Sequence, residues 1–405
     1  TRDTFKSLVL SAQVLENKHS LVSRKLRVRD FDRGHKLINM RALELVLPKL
    51  SALNHIRFEL AASPPADLLL SAAAVSTLDA VEFHTARFDG PSLAPTFSQF
   101  SQLRSLTLFI GQYRMRDLNQ KQELENIKAT LNELAGTLVE LEMSGDLVGM
   151  TTLSTISWPR LRKLVLTNHI PFGKTIPLTT MVAQMSCLRT LGLNFAAVFA
   201  WADMTPIKFC FDLDGVPSPP LPSILPHLEV LSISNALPED PLFEQLPPNL
   251  QVLRVLAIRD HSPGYYSTLN EAAAFRVIAL AGRLPLFELA LNLEKTPSPS
   301  ILKAIAAISI PDAPTSLLQA SLIRPLHRMR HLRDLRLTVE LGPQDDSGAK
   351  VVPVERTKIV TRMDTAAQEF AAGLPQLHYI SFSFWNSFKF DGITRNLIWY
   401  RYGIF

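Results

Sequence analysis

The spacing apolar-x-x-apolar-x-apolar, seen in Leu161-Arg-Lys-Leu164-Val-Leu166, recurs from the first quarter of the chain to its end. No other feature constrains the fold as much. Complete copies begin at Leu53, Leu78, Leu103, Leu138, Leu161, Leu188, Leu228, Leu250, Leu286, Leu332 and Leu377. One copy means nothing, because apolar residues fall at such offsets by chance. Eleven in succession require a common physical cause. The fourth and sixth residues of each copy are apolar and their neighbours are mostly not, as on a short strand with one buried face. Such a strand cannot bury that face alone, so each copy needs neighbouring copies stacked against it.

The segments between copies carry helical patterns. The clearest is 118–134, with Leu124, Ile127, Leu131 and Leu134 on one side; 268–281, 316–326 and 365–372 are others, and 43–50 suits a short helix or irregular turn. A strand followed by a helix that returns to a parallel neighbour is the connection that right-handed crossovers permit. The expected fold is therefore α/β: a right-handed solenoid with a parallel concave sheet and about eleven or twelve irregular repeats, 23–30 being a weak first copy.

This reading makes 1–405 a single repeat domain. Residues 1–22, with Phe5, Leu8, Val9, Ala12 and Leu15 at helical spacing, form an N-terminal helical cap, and 23–378 hold the repeats. Stretches near 203–227, 294–315 and 342–360 are too long and too proline-rich for tight connections and read as loop insertions. Pro217, Pro219, Pro220, Pro222 and Pro226 forbid a long helix in the first. Residues 379–405 form an aromatic C-terminal cap, with Ser381-Phe-Ser-Phe and Ile398-Trp-Tyr-Arg-Tyr as a hairpin over the last layer.

Composition bears on the partner classes. An apolar share of 47% with 20% charged residues excludes a largely disordered chain. A net charge of +5 over 405 residues is too mild for a dedicated nucleic-acid binder. Two cysteines, Cys187 and Cys210, cannot form a disulfide framework and suit a reducing, intracellular compartment, cytoplasmic or nuclear. No apolar run is long enough to span a bilayer, so no membrane partner is expected, and the opening Thr1-Arg-Asp-Thr-Phe lacks a secretory signal and reads as the start of a processed or trimmed chain.

Leu225-Pro-His-Leu228-Glu-Val-Leu231 and Leu374-Pro-Gln-Leu377-His-Tyr-Ile380, together with Leu161-Arg-Lys-Leu164-Val-Leu166 and Leu332-Arg-Asp-Leu335-Arg-Leu337, resemble the leucine-rich repeat superfamily. The irregular spacing looks most like the leucine-rich region of F-box and F-box-like proteins of the fungal type. The resemblance covers about 20–390 and implies a horseshoe-shaped interaction module, the substrate-recognition part of an F-box-type ubiquitin ligase. Two departures matter. The asparagine that closes the usual repeat is missing from most copies: His169 and Ala196 stand there, while Asn168 and Asn235 miss the register by one. The F-box is not seen in this chain and would precede residue 1, so an adaptor partner depends on it.

No residues form a recognisable reaction centre, and no cofactor or metal is expected. His327 and His331 have the i, i+4 spacing of a zinc pair, but Arg328 stands where the hydrolase glutamate belongs and opposes a cation. Glycine-rich phosphate loops, Gly-x-Ser-x-Gly and Cys-x-x-Cys are missing. The clusters Arg324, Arg328, Arg330, Arg333, Arg336 and Arg24, Lys25, Arg27, Arg29, Arg33 could meet nucleic acid or an acidic partner, although solvated faces are the commoner origin and stacking aromatics are not interleaved. A solenoid enzyme acting on carbohydrate would need clustered carboxylates.

Function is expected on strand residues that alternate with the buried ones. Arg57, Glu82, Glu142, Arg254 and Arg336 occupy the fifth position of their copies, Glu140 and Lys163 the third, and His84 the seventh. These eight are the candidate contacts for a protein partner. Glu82, His84, Glu140 and Glu142 suggest a polar or basic segment, and small residues such as Gly192, Ser232 and Ala290 leave room for its approach.

Overall fold

The computed structural model describes residues 24–29, 41, 43–60, 64–84, 87–109, 120–168, 176–195, 220–234, 240–256, 271–293, 326, 329–340, 364, 367–368, 370–386 and 396–403. The chain divides into two units, Thr1–Thr190 and Leu191–Phe405.

In the first unit six strands follow in chain order: β1 (Arg24–Arg29), β2 (Leu53–Glu59), β3 (Ala80–His84), β4 (Ser105–Phe109), β5 (Glu140–Ser144) and β6 (Lys163–Asn168). Each is parallel to the next. The register aligns the fourth residues of the copies, Leu26, Ile56, Val81, Leu106, Leu141 and Leu164, in one row. The sixth residues, Val28, Phe58, Phe83, Leu108, Met143 and Leu166, form the other. Both rows are buried apart from the half-buried Val28, and in them Phe58 and Phe83 stack with ring centres 5.2 Å apart.

A backbone relay sets this register at the strand starts. The carbonyl of Asp79 accepts from the N–H groups of Arg104 and Ser105 at 2.8 and 2.9 Å, and that of Arg104 accepts from Val139 and Glu140 at 2.7 and 2.9 Å. The carbonyl of Val139 does the same for Arg162 and Lys163. Each layer thus ties the second residue of its motif to the second and third of the next, which pairs these backbone groups where the strands begin.

Between the strands lie the helices Ala66–Ala73, Ala94–Phe97, Gln120–Leu134, Met150–Thr155 and Leu178–Val182, with short 3-10 turns at Leu47–Lys49 and Gly145–Leu147. In Gln120–Leu134 the buried side is Glu123, Asn126, Ile127, Thr130, Leu131 and Leu134, and Leu124 is only half-buried. The stripe is rotated from the one leucine spacing predicts because two polar side chains serve backbone groups. Glu123 Oε1 accepts from the N–H of Phe88 at 3.1 Å, and Asn126 Nδ2 donates to the carbonyls of Phe88 and Gly90 at 2.6 and 2.8 Å. Trp158, fully buried, donates from Nε1 to the carbonyl of Leu153 and so fastens Met150–Thr155 to the approach to β6.

In the second unit the strands are β7 (Thr190–Phe195, from Leu191 on), β8 (Val230–Ser234), β9 (Val252–Leu256), β10 (Glu288–Leu293), β11 (Asp334–Glu340), β12 (Tyr379–Asn386) and β13 (Asn396–Gly403). From β8 to β12 they are parallel and in chain order, with Leu231, Leu253, Leu289, Leu335 and Ile380 in one buried row. β13 returns antiparallel to β12, pairing Phe384 with Ile398. The helices are Leu221–Ile224 and Glu271–Ala281, with a 3-10 turn at Pro241–Gln245 whose N-cap Asp240 accepts from the N–H of Leu242.

In all eleven copies the fourth and sixth residues lie on strands, the weak copy at 23–30 holds β1, and the two aromatic runs pair antiparallel. The helical patterns at 118–134 and 268–281 appear as Gln120–Leu134 and Glu271–Ala281. Of 203–227 only 220–227 are described, and they hold the four-residue helix Leu221–Ile224 that the prolines allow. In 365–372 the described residues are helical. The expected N-terminal helix, the insertions 294–315 and 342–360, and all of 316–326 but Leu326 lie outside the described residues. Among the described residues no helix is long and apolar enough to cross a membrane.

Candidate functional site

Parallel sheets ordinarily bury both faces. In the first unit one face does not follow this rule. Strands β2, β3, β4 and β6 alternate buried residues with half-buried ones, and the open face carries rows of polar side chains. The third-position row runs Lys25, His55, Ala80, Ser105, Glu140, Lys163, and the fifth runs Arg27, Arg57, Glu82, Thr107, Glu142, Val165. The seventh aligns Arg29, Glu59, His84 and Phe109.

Glu82 is the hub of this face. Its Oε1 lies 3.0 Å from His55 Nε2, and its Oε2 lies 3.2 Å from His84 Nε2 and 3.7 Å from an Arg57 guanidinium nitrogen. The hydrogen bonds from His55 and then His84 hold its carboxyl well below the usual carboxylate range, against the opposing effect of burial. Arg57 Nε lies 2.8 Å from Glu59 Oε1, close enough for an ion pair but without the geometry of a hydrogen bond. The ring of His84 leans on Phe109 with centres 5.4 Å apart. Three of the candidate contacts, Arg57, Glu82 and His84, are thereby one connected group, completed by His55 and Glu59.

Glu140, Glu142 and Lys163 make a second group. Lys163 Nζ lies 3.6 Å from Glu140 Oε2 and 3.8 Å from Glu142 Oε2. All three are well exposed, so this pairing orders the side chains more than it stabilises the fold.

Arg254 and Arg336 meet in the second unit through residues that the fifth-position reading overlooks. Glu288, only 6% exposed, accepts two hydrogen bonds from Arg254 and lies 3.7 Å from Arg336. Arg336 also donates to Asp334 at 3.1 Å, and this bond, reinforced by Glu288, raises its pKa despite partial burial. Glu288 and Asp334 are third-position residues, so their place on this face was readable from the same alternation. The small residues of this unit are not an open floor. Gly192, Ser232 and Ala290 are buried; Ser232 Oγ donates to Asn194 Oδ1 at 2.8 Å, and Ala290 is in register with Arg254 on one side and Arg336 on the other.

Among the described residues no three of His, Cys, Asp or Glu are grouped so as to hold a metal ion. His327 lies outside the described residues, and His331 is exposed.

In comparisons with known proteins, no family model matches the chain and no curated protein matches it.

Proposed function

We propose that this chain is a non-catalytic protein-interaction module of the leucine-rich-repeat type, a right-handed horseshoe whose partner lies across the open face of the sheet. One observation carries the reading: a parallel sheet that leaves one face to solvent and covers it with polar side chains already paired to each other. Paired groups lose little rotamer freedom when a partner arrives, so less of the binding energy is spent on ordering them. Arg57, Glu82, His84, Glu140, Glu142 and Lys163 are the contacts in the first unit, with Arg254 and Arg336 in the second. The recurrent leucine motif supports a role as the substrate-recognition part of an F-box-type ubiquitin ligase inside the cell, the adaptor being a partner only if an F-box precedes these repeats.

Thr107 and Val165 allow a clean test, since both sit half-buried on the open face and belong to neither charge group. Thr107→Arg and Val165→Arg should remove the proteins captured by the wild-type chain while circular dichroism stays unchanged. Identical capture by folded variants overturns the assignment.

A further inference from the structure

An open cavity of about 640 Å³ lies where the starts of β3 to β6 meet the open face, lined by Asp79, Arg104, Glu140, Arg160, Arg162 and Cys187 among others. Its volume is in the range of ligand pockets, which span about 300 to 1,000 Å³. Arg104 and Arg162 are second-position residues whose backbones the relay fixes, and their exposed side chains therefore leave from anchored points. They are two layers apart, about 10 Å at ordinary strand spacing. Arg160 stands beside Arg162, the two separated by the fully buried Leu161.

The distribution of partners decides what this cavity can take. On the open face Glu82 is held by His55 and His84, Glu59 by Arg57, and Glu140 and Glu142 by Lys163. Arg104, Arg160 and Arg162 make no ion pair among the described residues. Asp79, an exposed residue of the same lining, has no ion pair among the described residues either, so the charge left available is three guanidinium groups against one carboxylate, a net cationic balance that reverses the basic-partner expectation drawn from Glu82, Glu140 and Glu142. Guanidinium groups suit planar or tetrahedral oxyanions, which accept two parallel N–H bonds. No aromatic side chain lines the cavity, so nothing there would stack on a base.

We propose that this cavity is the seat of an oxyanion carried by an acidic segment of a protein partner, a carboxylate or a phosphate placed between Arg160, Arg162 and Arg104. The proposal rests on the open-face reading, because the lining residues Ala80, Ser105 and Glu140 also belong to the third-position row of that face. A segment crossing the face near β4 and β5 drops one anionic side chain into the cavity.

Cys187, exposed at the cavity wall, serves as the reporter. Alkylation by iodoacetamide is followed at the Cys187 peptide by mass spectrometry, using the full chain with hexaglutamate, a phosphoserine hexapeptide or hexalysine. One or both anionic peptides should slow the reaction about tenfold near saturation, hexalysine should not, and Arg104→Gln/Arg160→Gln/Arg162→Gln should remove the protection. Which anionic peptide protects separates the carboxylate source from the phosphate source. Equal protection by hexalysine, no protection by either anionic peptide, or protection that survives the triple variant overturns the proposal. Thr107→Arg and Val165→Arg leave Arg104, Arg160 and Arg162 in place, so protection of Cys187 by the anionic peptides persists in both variants. Failure of the open-face reading therefore shows in partner capture, and failure of the cavity in Cys187.

Discussion

Arg254 on β9 holds Glu288 on β10 with two hydrogen bonds, Nε to Oε1 at 2.7 Å and Nη2 to Oε2 at 3.1 Å, and the carboxylate so held is almost fully buried. Removing one partner of a buried pair strands the other charge, which generally costs about 3–5 kcal/mol. Here Arg254 is about a third exposed and Arg336 remains 3.7 Å away, so the cost is smaller. Arg254→Ala should lower the stability of the second unit by about 1–3 kcal/mol in urea denaturation. Arg254→Lys should recover less than half, because an ammonium cannot present two parallel N–H groups to both oxygens. Full rescue by lysine would show that charge alone matters.

Leu164 and Lys163 are neighbours with opposite expected outcomes. Leu164 is fully buried in register with Leu141, whereas Lys163 stands on the open face beside two exposed carboxylates. Leu164→Ala should cost about 2–5 kcal/mol through lost burial and a cavity. Leu164→Asp should abolish cooperative folding of the first unit. Lys163→Ala should change stability by about 0.5 kcal/mol or less. A soluble, cooperatively unfolding Leu164→Asp protein would count against stacked layers.

The strands were legible because a period of two with one buried face leaves a direct trace in the order of residues. Parallel stacking then followed from the length of the connections. Charge pairing left a weaker trace. The rows that hold His55, Glu82 and His84 could be read from spacing, but whether Glu82 reaches across to β2 depends on side-chain reach and register. Burial of polar groups was the least legible. Glu123 and Asn126 occupy the core side of Gln120–Leu134 because of carbonyl and N–H groups at 88–90, remote in sequence. Asn168 illustrates a near miss: one residue early for the asparagine of a regular leucine-rich repeat, it ends β6 at φ 65°, a conformation asparagine tolerates, and donates to Ser144 Oγ. Arg104 and Arg162 repeat at the second position of the motif and Arg160 stands just before it, a signal that does not lie on either strand face.

Asn126 tests the buried polar link. Its amide serves two carbonyls, those of Phe88 and Gly90, and its side chain is only 4% exposed. Asn126→Leu keeps the volume but leaves both acceptors without their donor, at a cost of about 2–4 kcal/mol. Hydrogen exchange should quicken at 87–93 before it quickens in β3 and β4. Uniform acceleration across the unit would show that the residue acts on global stability alone.

Glu82 gives the first unit an acid limb with a definite sign. Its folded carboxyl titrates below its unfolded value because His55 and His84 donate to the ionised form. The unfolded chain therefore binds the proton more readily, and stability rises with pH across the interval between the two values. The contribution is fully present above the unfolded value of about 4.3 and is lost as the pH falls through the folded one. Glu82→Gln should destabilise the unit at pH 7, and the difference from wild type should shrink steadily below about pH 4 in urea unfolding series. His55→Gln and His84→Gln should each remove part of the acid limb, and the double variant should match Glu82→Gln more closely than either alone. An unchanged acid limb in Glu82→Gln would place the pH dependence elsewhere and leave the hub without an energetic role.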